Sequence, residues 1–238
     1  MECLEDLYSL MVNCFDSQTP PIGILGINNI SAILEHTDPE LRSWLAKALV
    51  FETDTRTAVD YLIRLAGDNS ADVRLEALDS LCAFPCFDSF STLCFALKDT
   101  DVLIRAVAAY GVATTGVVVS PMQAIEILNK AVREESSDRA LVNIYEGLYI
   151  LGNKSVINNI FTLISSEDYY VQAASLRALA EILDTSNIGH ISAFAISLDE
   201  SDFPYAVVDA LKELKRAIST FSTQDRGRFS VLCPAVEQ

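Results

Sequence analysis

Basic residues are scarce in this sequence, which has 17 Lys and Arg against 33 Asp and Glu and a formal net charge of −16. Duplex binding depends on Lys and Arg that neutralise phosphates, so this shortage argues against a nucleic-acid partner. Anionic membrane surfaces would repel the same charge. We therefore expect neither nucleic acid nor membrane as a partner. The kind of partner that such a charge attracts is a basic protein.

Catalytic motifs are also missing. The sequence has no GxSxG elbow, no glycine-rich phosphate loop and no HExxH helix. Its two histidines, His36 and His190, lie far apart in the chain, so a Ser–His or Cys–His pair would need the fold to bring distant residues together. We expect no enzymatic activity and no cofactor.

The six cysteines include no CxxC pair. Cys82, Cys86 and Cys94 are close in sequence, but only Asp79 or Asp88 could complete a zinc site with them. Most of the cysteines fall in apolar helical stretches, so we predict buried free thiols in a reducing compartment and no metal. The acidic N-terminal residues are unlike a signal peptide, and the predicted location is the cytoplasm.

Long hydrophobic runs are missing as well. The longest nearly apolar run, residues 106–119, has 14 residues and is shorter than the roughly 20 that a membrane-spanning helix needs. We interpret it as part of a core.

A repeated pattern is present. An apolar residue precedes an Arg, a small or apolar residue lies three positions after the Arg, and another apolar residue lies seven after it. The residues at the Arg position are Arg42, Arg74, Arg105, Asp138, Gln172 and Val207. Successive copies are 31 to 35 residues apart, a period typical of stacked helical hairpins.

Asp, Ser and Glu are concentrated between the two predicted helices of each hairpin. Asp and Ser are suited to cap the helix that follows, and their charge suits its N-terminal dipole. Asp99 and Asp101 are therefore predicted to cap a helix rather than to form a catalytic carboxylate pair. Glu134 and Glu135 are predicted to be solvated turn residues.

These units resemble HEAT repeats, in particular the short HEAT-like type also found in phycobilin lyases. The resemblance covers about residues 20–220 and is clearest over residues 69–81, where an Asp-rich turn precedes Val73, Arg74 and Ala77. It implies an all-α fold, a right-handed α-solenoid of about six hairpins with an N-terminal capping helix. The expected domain is residues 1–221, with a cap at 1–18, repeats at about 20–52, 55–84, 87–117, 120–152, 154–184 and 187–221, and a C-terminal tail at 222–238.

The resemblance also implies that turn acids and helix arginines form a ladder between neighbouring repeats. Arg42, Arg74 and Arg105 would then be structural, together with Asp38 and with either Asp68 or Asp72. Such a ladder should fade after the third repeat, because Gln172 and Val207 cannot supply the charge.

A candidate binding strip follows from the helical period. In such stacks the second helix of each hairpin lines the concave face, and the residues opposite its core side fall two before and two and five after the Arg position. The second repeat offers three acids there, and other repeats offer aromatic residues of the types enriched at interface hot spots. The candidate strip consists of Glu40, Trp44, Asp72, Glu76, Asp79, Tyr110, Tyr170 and Tyr205.

The predicted function is a non-enzymatic protein-interaction module whose acidic concave face binds a basic protein. A narrower hypothesis is an inhibitor or immunity protein that neutralises a basic, nuclease-like toxin. The alternative is a ligand-cradling protein of the phycobilin-lyase type. A HEAT-like DNA glycosylase needs a basic groove, which this acidic chain does not offer. We expect a monomer or a weak dimer.

Overall fold

In the computed structural model, the described part of the chain comprises the backbone of residues 4–232 and the side chains of residues 8–221 except Ile27. Helices alternate between the two positions of a hairpin, and the described residues contain no strand. The all-α prediction is confirmed. The first helices are α2 (Pro21–Leu34), α4 (Thr55–Leu65), α6 (Phe87–Ala96), α8 (Pro121–Glu134), α10 (Ile157–Leu163) and α12 (Ile188–Ser197).

The second helices of the hairpins are longer on average. They are α3 (Pro39–Ala48), α5 (Ala71–Leu81), α7 (Val102–Val119), α9 (Asp138–Ile150), α11 (Tyr169–Glu181) and α13 (Tyr205–Leu232), and they are preceded by α1 (Leu4–Asp16). Short 3-10 turns lie at Leu49–Phe51, Lys154–Val156 and Glu200–Asp202. Helix α13 continues to Leu232, so the part of the predicted tail up to that residue is helical, and the rest lies outside the described residues.

Acidic residues of the turns cap the N-termini of second helices. Asp38, Asp101 and Asp168 each accept a hydrogen bond from the backbone N–H two residues later, at 2.8 to 2.9 Å. Pro39 is the first residue of α3, where the missing N–H of proline costs no helical hydrogen bond. The capping role predicted for Asp101 is confirmed.

The chain divides into two compact units, residues 1–151 and 152–238. In the first unit α1, α3, α5, α7 and α9 pack side by side, each against the next, and form the second-helix layer. Helices α2, α4, α6 and α8 each pack against the second helix of their own hairpin. In the second unit α11 packs against α13, while α10 and α12 pack on α11 and α13 respectively.

The core follows the repeated pattern. In the first three repeats the residues one before, three after and seven after the Arg are buried, as in Val73, Ala77 and Leu81 of α5. In α9, however, the residues buried at this spacing are Ala140, Ile144 and Leu148. Leu141 thus occupies the Arg position of the fourth repeat, and the register predicted from Asp138 was wrong by three residues.

The sixth copy keeps the predicted register at two of its three apolar positions. Ala210 and Leu214, three and seven residues after Val207, are fully buried, whereas Ala206 before it is half-buried. The error in α9 arises because Arg139, the arginine at the start of this helix, does not lie at the Arg position, which left mainly apolar residues to align. A helix with many apolar residues fits several registers, and packing against its neighbours selects one.

Candidate protein-binding face

The first unit contains the ladder that the resemblance implied. Arg42 donates to both carboxylate oxygens of Asp68 at 2.6 and 2.8 Å, and Arg74 does the same to Asp99 at 2.9 and 3.0 Å. Arg105 donates to Glu135 at 2.7 and 3.0 Å. Each Arg also donates to a backbone carbonyl of the turn before its own helix. Every arginine of the ladder therefore joins its own turn to the next one.

The ladder clarifies the roles of the turn acids. Asp68 is the partner of Arg42, whereas Asp72 is exposed at the start of α5. Asp38 accepts a hydrogen bond from Tyr8 of α1, which connects the first helix to the same series. Asp99 accepts the backbone N–H of Asp101 in addition to Arg74, so it does more than cap a helix.

The solvation predicted for Glu135 was wrong. Its side chain is nearly buried, pairs with Arg105 and accepts the N–H groups of Ser136 and Ser137 at 3.0 and 2.9 Å. A glutamate thus takes the place that an aspartate has in the first two pairs of the ladder. The sequence did contain a signal for this pair, because Glu135 is an acid 30 residues after Arg105. For comparison, Asp68 and Asp99 lie 26 and 25 residues after their arginines.

These pairs perturb the ionisation of the acids. Burial raises the pKa of Asp68 and of Asp99, but the hydrogen bonds from Arg42 and Arg74 and from turn N–H groups outweigh it, and both pKa values are lowered. The hydrogen bond from Arg105 is the largest influence on Glu135 and also lowers its pKa. The ladder is a set of permanent ion pairs at neutral pH and has no acid or base poised for catalysis.

The strip residues of the first unit lie on the second-helix layer. We call Glu40, Trp44, Asp72, Glu76, Asp79 and Tyr110 the N-terminal strip. Glu40, Asp72 and Asp79 are exposed, whereas Trp44, Glu76 and Tyr110 are half-buried. Asp72 and Asp79 are seven residues apart on α5 and therefore lie on one face of that helix.

One lysine interrupts the acidic character of the N-terminal strip. Lys47, on the same helix as Trp44, forms an ion pair with Glu76 of α5, with 3.2 Å between Nζ and Oε1. The Lys47 ammonium also lies 5.0 Å from the centroid of the Trp44 ring. Trp44, Lys47 and Glu76 thus form a small contact cluster across α3 and α5.

Two phenylalanines support this cluster. Phe15 of α1 meets Trp44 edge to face, with ring centroids 5.9 Å apart, and meets Phe51 at 5.8 Å. Edge-to-face contacts of this kind hold aromatic rings in a preferred orientation. Sequence reasoning missed Phe15, because α1 has no Arg position from which a strip residue could be counted.

The strip residues of the second unit are more exposed. Tyr170 is 54% exposed and stacks on Tyr169, with ring centroids 4.1 Å apart, while Tyr205 is 83% exposed at the start of α13. Both tyrosines begin second helices that pack against each other. The strip residues of the second unit are therefore aromatic side chains at the starts of two packed helices.

A concave space beside the ladder does not coincide with the N-terminal strip. A groove of about 560 Å³ is lined by Asp99, Arg105 and Glu135 together with Cys94, Lys98 and Lys130. Its charged groups are of both signs, and three of them already form the ladder. We assign this groove to the packing of neighbouring repeats.

Burial raises the pKa of Cys82 to about 12 and that of Cys94 to about 11, so neither is a nucleophilic thiolate near neutral pH. Cys14, Cys82, Cys86 and Cys94 are free thiols. Among the described residues, no group of three or more His, Cys, Asp and Glu side chains is arranged to hold a metal ion.

Helix α7 is the only helix of the described chain that is long and apolar enough to cross a membrane by length and composition. The apolar run that looked too short is part of this longer helix, which has four more residues before the run, the last of them Arg105. Half of the helix is buried, where it packs against α5, α6, α8 and α9. Its apolar composition is accounted for by a central place in the first unit.

Comparison with known proteins supports the repeat assignment. The family model described as HEAT repeats matches residues 27–113, the stretch that contains the first two Arg–Asp pairs of the ladder. The HEAT resemblance is confirmed over these residues. Among curated proteins, no match to this sequence is found.

Among solved structures, this chain is similar to the complex of CpcE and CpcF of phycocyanin lyase from Nostoc sp. PCC7120. The two are 14% identical, and the alignment covers 80% of this chain and 94% of that chain with a TM-score of 0.44. The ligand-cradling alternative stays a prediction from the sequence resemblance.

Proposed function

We propose that this chain is a non-enzymatic, cytoplasmic protein-interaction module that binds a basic protein through the N-terminal strip. The observation that carries the proposal is the pair of exposed acids Asp72 and Asp79 on α5, next to Trp44 on the neighbouring helix α3. Neither acid belongs to the ladder, so both are available to a partner.

The charge of the surrounding chain supports this choice. Residues 1–101 contain 17 acids and 6 bases, and four of those six bases pair with acids of the same unit: Arg42, Lys47, Arg64 and Arg74. A field of one sign accelerates the encounter with an oppositely charged partner. Trp44 supplies the large, partly buried contact that exposed acids cannot supply by themselves.

A narrower form of the proposal is an inhibitor or immunity protein for a basic toxin. It is supported only by charge: a nuclease-like toxin needs basic residues for its substrate, and an acidic face could cover them. The same face could serve another basic partner, so the narrower form depends on identifying what binds.

Charge reversal on α5 tests the proposal. The partner is recovered from the native host at low ionic strength, identified and produced separately. The variant Asp72→Lys/Asp79→Lys should then bind it with an association rate constant lowered at least about tenfold, because these acids steer the encounter. Association rates are measured by surface plasmon resonance at two salt concentrations.

The matched control is Asp88→Lys/Glu126→Lys, which reverses two exposed acids on the first helices α6 and α8. Asp88 lies in the first turn of its helix, as Asp72 does, so the cost to helix stability is comparable. Equal rates for the two double variants would show that net charge matters but the N-terminal strip does not. A recovered partner that binds with no dependence on salt or on either variant would contradict the proposal.

A further inference from the structure

The cluster of Trp44, Lys47 and Glu76 has the chemistry of a binding site for a cation. The Lys47 ammonium is 5.0 Å from the Trp44 ring centroid and 3.2 Å from the Glu76 carboxylate. An aromatic face and a carboxylate both attract a positive charge, and a guanidinium uses both because it stacks on rings and pairs with carboxylates. The cation that occupies this position belongs to the protein itself.

The Lys47–Glu76 pair differs from the ladder pairs in burial and geometry. The Arg42 and Asp68 side chains are only 12% and 11% exposed and share two hydrogen bonds, whereas Lys47 and Glu76 are 33% and 28% exposed. Ion pairs that remain partly in water contribute little to stability. Another cation can therefore replace Lys47 at small cost to the fold.

The surroundings favour a cationic chain over a single ion. Asp72 and Asp79 are exposed on α5, four residues before and three residues after Glu76, and share its side of the helix. A basic segment laid along α5 would meet three acids in a row, with the Trp44 ring beside the middle one. The contact with Phe15 holds that ring in place before any partner arrives.

We propose that the Trp44 ring and the Glu76 carboxylate form a subsite for a Lys or Arg side chain of the partner, and that Lys47 occupies this subsite in the free protein. The inference rests on the proposed function and adds the position at which one basic side chain is held. Binding then requires the Lys47 ammonium to leave, so Lys47 competes with the partner.

Trp44 provides the measurement because it is the only tryptophan in the chain. An oligoarginine peptide is titrated at low ionic strength into wild type, Lys47→Gln and Lys98→Gln, and an oligoglutamate peptide of the same length is the negative control. Lys98 is exposed in the turn after α6 and is not part of the Trp44, Lys47 and Glu76 cluster, and its substitution changes the net charge by the same amount. Dissociation constants come from calorimetry, and Trp44 emission is followed in parallel.

Removal of the competitor should tighten binding. We expect Lys47→Gln to lower the dissociation constant at least about threefold more than Lys98→Gln, in keeping with the strength of an exposed cation–π contact and ion pair. The peptide should change Trp44 emission in all three proteins. Glu76→Gln, which leaves Lys47 without its carboxylate, should weaken peptide binding.

Two results separate the subsite from the proposed function. If the peptide binds but Lys47→Gln and Lys98→Gln behave alike, or if Trp44 emission does not respond, the subsite is wrong and the acidic face can still stand. If calorimetry detects no peptide binding to wild type or to any variant, the acidic face does not attract basic chains and both proposals fall.

Discussion

Asp99 shows how much one residue contributes to the first unit. It accepts two hydrogen bonds from Arg74 of the preceding repeat and one from the turn N–H of Asp101. Its side chain is 15% exposed, so water replaces few of these contacts when they are lost. Removing one partner of such a pair leaves the other charge buried and unpaired, which is more costly than the net contribution of the pair.

Asp99→Asn is therefore expected to lower the free energy of unfolding by roughly 1–3 kcal/mol at neutral pH. The pKa of Asp99 in the folded protein lies below its ordinary value of 3.8, so the stabilisation is present above that value and is lost as the pH falls through the folded pKa. The difference between wild type and variant should shrink below about pH 4. Denaturant unfolding followed by Trp44 fluorescence measures it, because Trp44 belongs to the same unit.

Asp88→Asn is the control for this effect, since Asp88 is an exposed acid on α6 and takes no part in the ladder. We expect it to change stability by at most about 0.5 kcal/mol. A loss of the same size in both variants, or one that persists unchanged in acid, would contradict the role assigned to Asp99.

At the scale of the elements, α7 and α9 pack closely against each other at Gly147. A Cβ added to Gly147 of α9 would lie 2.9 Å from the Ala113 Cβ, 3.0 Å from the Leu128 Cδ1 and 3.2 Å from the Ala109 carbonyl oxygen. Ala113 and Ala109 both belong to α7, so the backbone of that helix as well as side chains would have to move. Glycine at this position determines the distance between two helices of the second-helix layer.

Gly147→Ala should destabilise the first unit by roughly 1–3 kcal/mol despite the better helix propensity of alanine, because the core has no room for the methyl group. Gly23→Ala is the matched substitution on α2, where no atom lies within 4 Å of the added carbon. That variant should be neutral or more stable by up to about 1 kcal/mol. Chemical denaturation of both variants tests the prediction, and a stable Gly147→Ala protein would refute the close packing of α7 and α9.

The second helices also show where prediction from sequence fails. The period predicted the helical hairpins, and α4 and α6 begin at residues 55 and 87, where the second and third repeats were expected to begin. The register of α9 was wrong because α9 has apolar residues on more than one side, and Glu146, Val142 and Tyr149 are buried besides the expected positions. A helix surrounded by neighbours does not have a single apolar stripe from which its register can be counted.

At the scale of the whole molecule, charge is the dominant property. A net charge of −16 produces repulsion between acids over the surface, and this repulsion weakens the folded state. The ladder pairs are mostly sheltered from solvent, so dissolved salt screens them less than it screens exposed acids.

Raising sodium chloride should therefore raise the melting temperature, since screening relieves more repulsion than it removes attraction. Thermal unfolding by circular dichroism at low and moderate ionic strength measures the change. Asp72→Asn/Asp79→Asn, with two fewer acids, should respond less to salt than wild type does. A melting temperature that falls with salt would mean that surface attraction outweighs repulsion in this protein.

The sequence by itself determined the helical hairpins, their turn acids and the three ladder arginines, because these depend on spacing along one chain, and the arginines recur in the first three repeats. Only the tertiary structure decided that Glu135 forms the third Arg–acid pair of the ladder and that Leu141 holds the Arg position of the fourth repeat. It also placed Lys47 between Trp44 and Glu76. These features depend on contacts between neighbouring helices, whose side-chain distances are set by packing and do not follow from the period of the sequence.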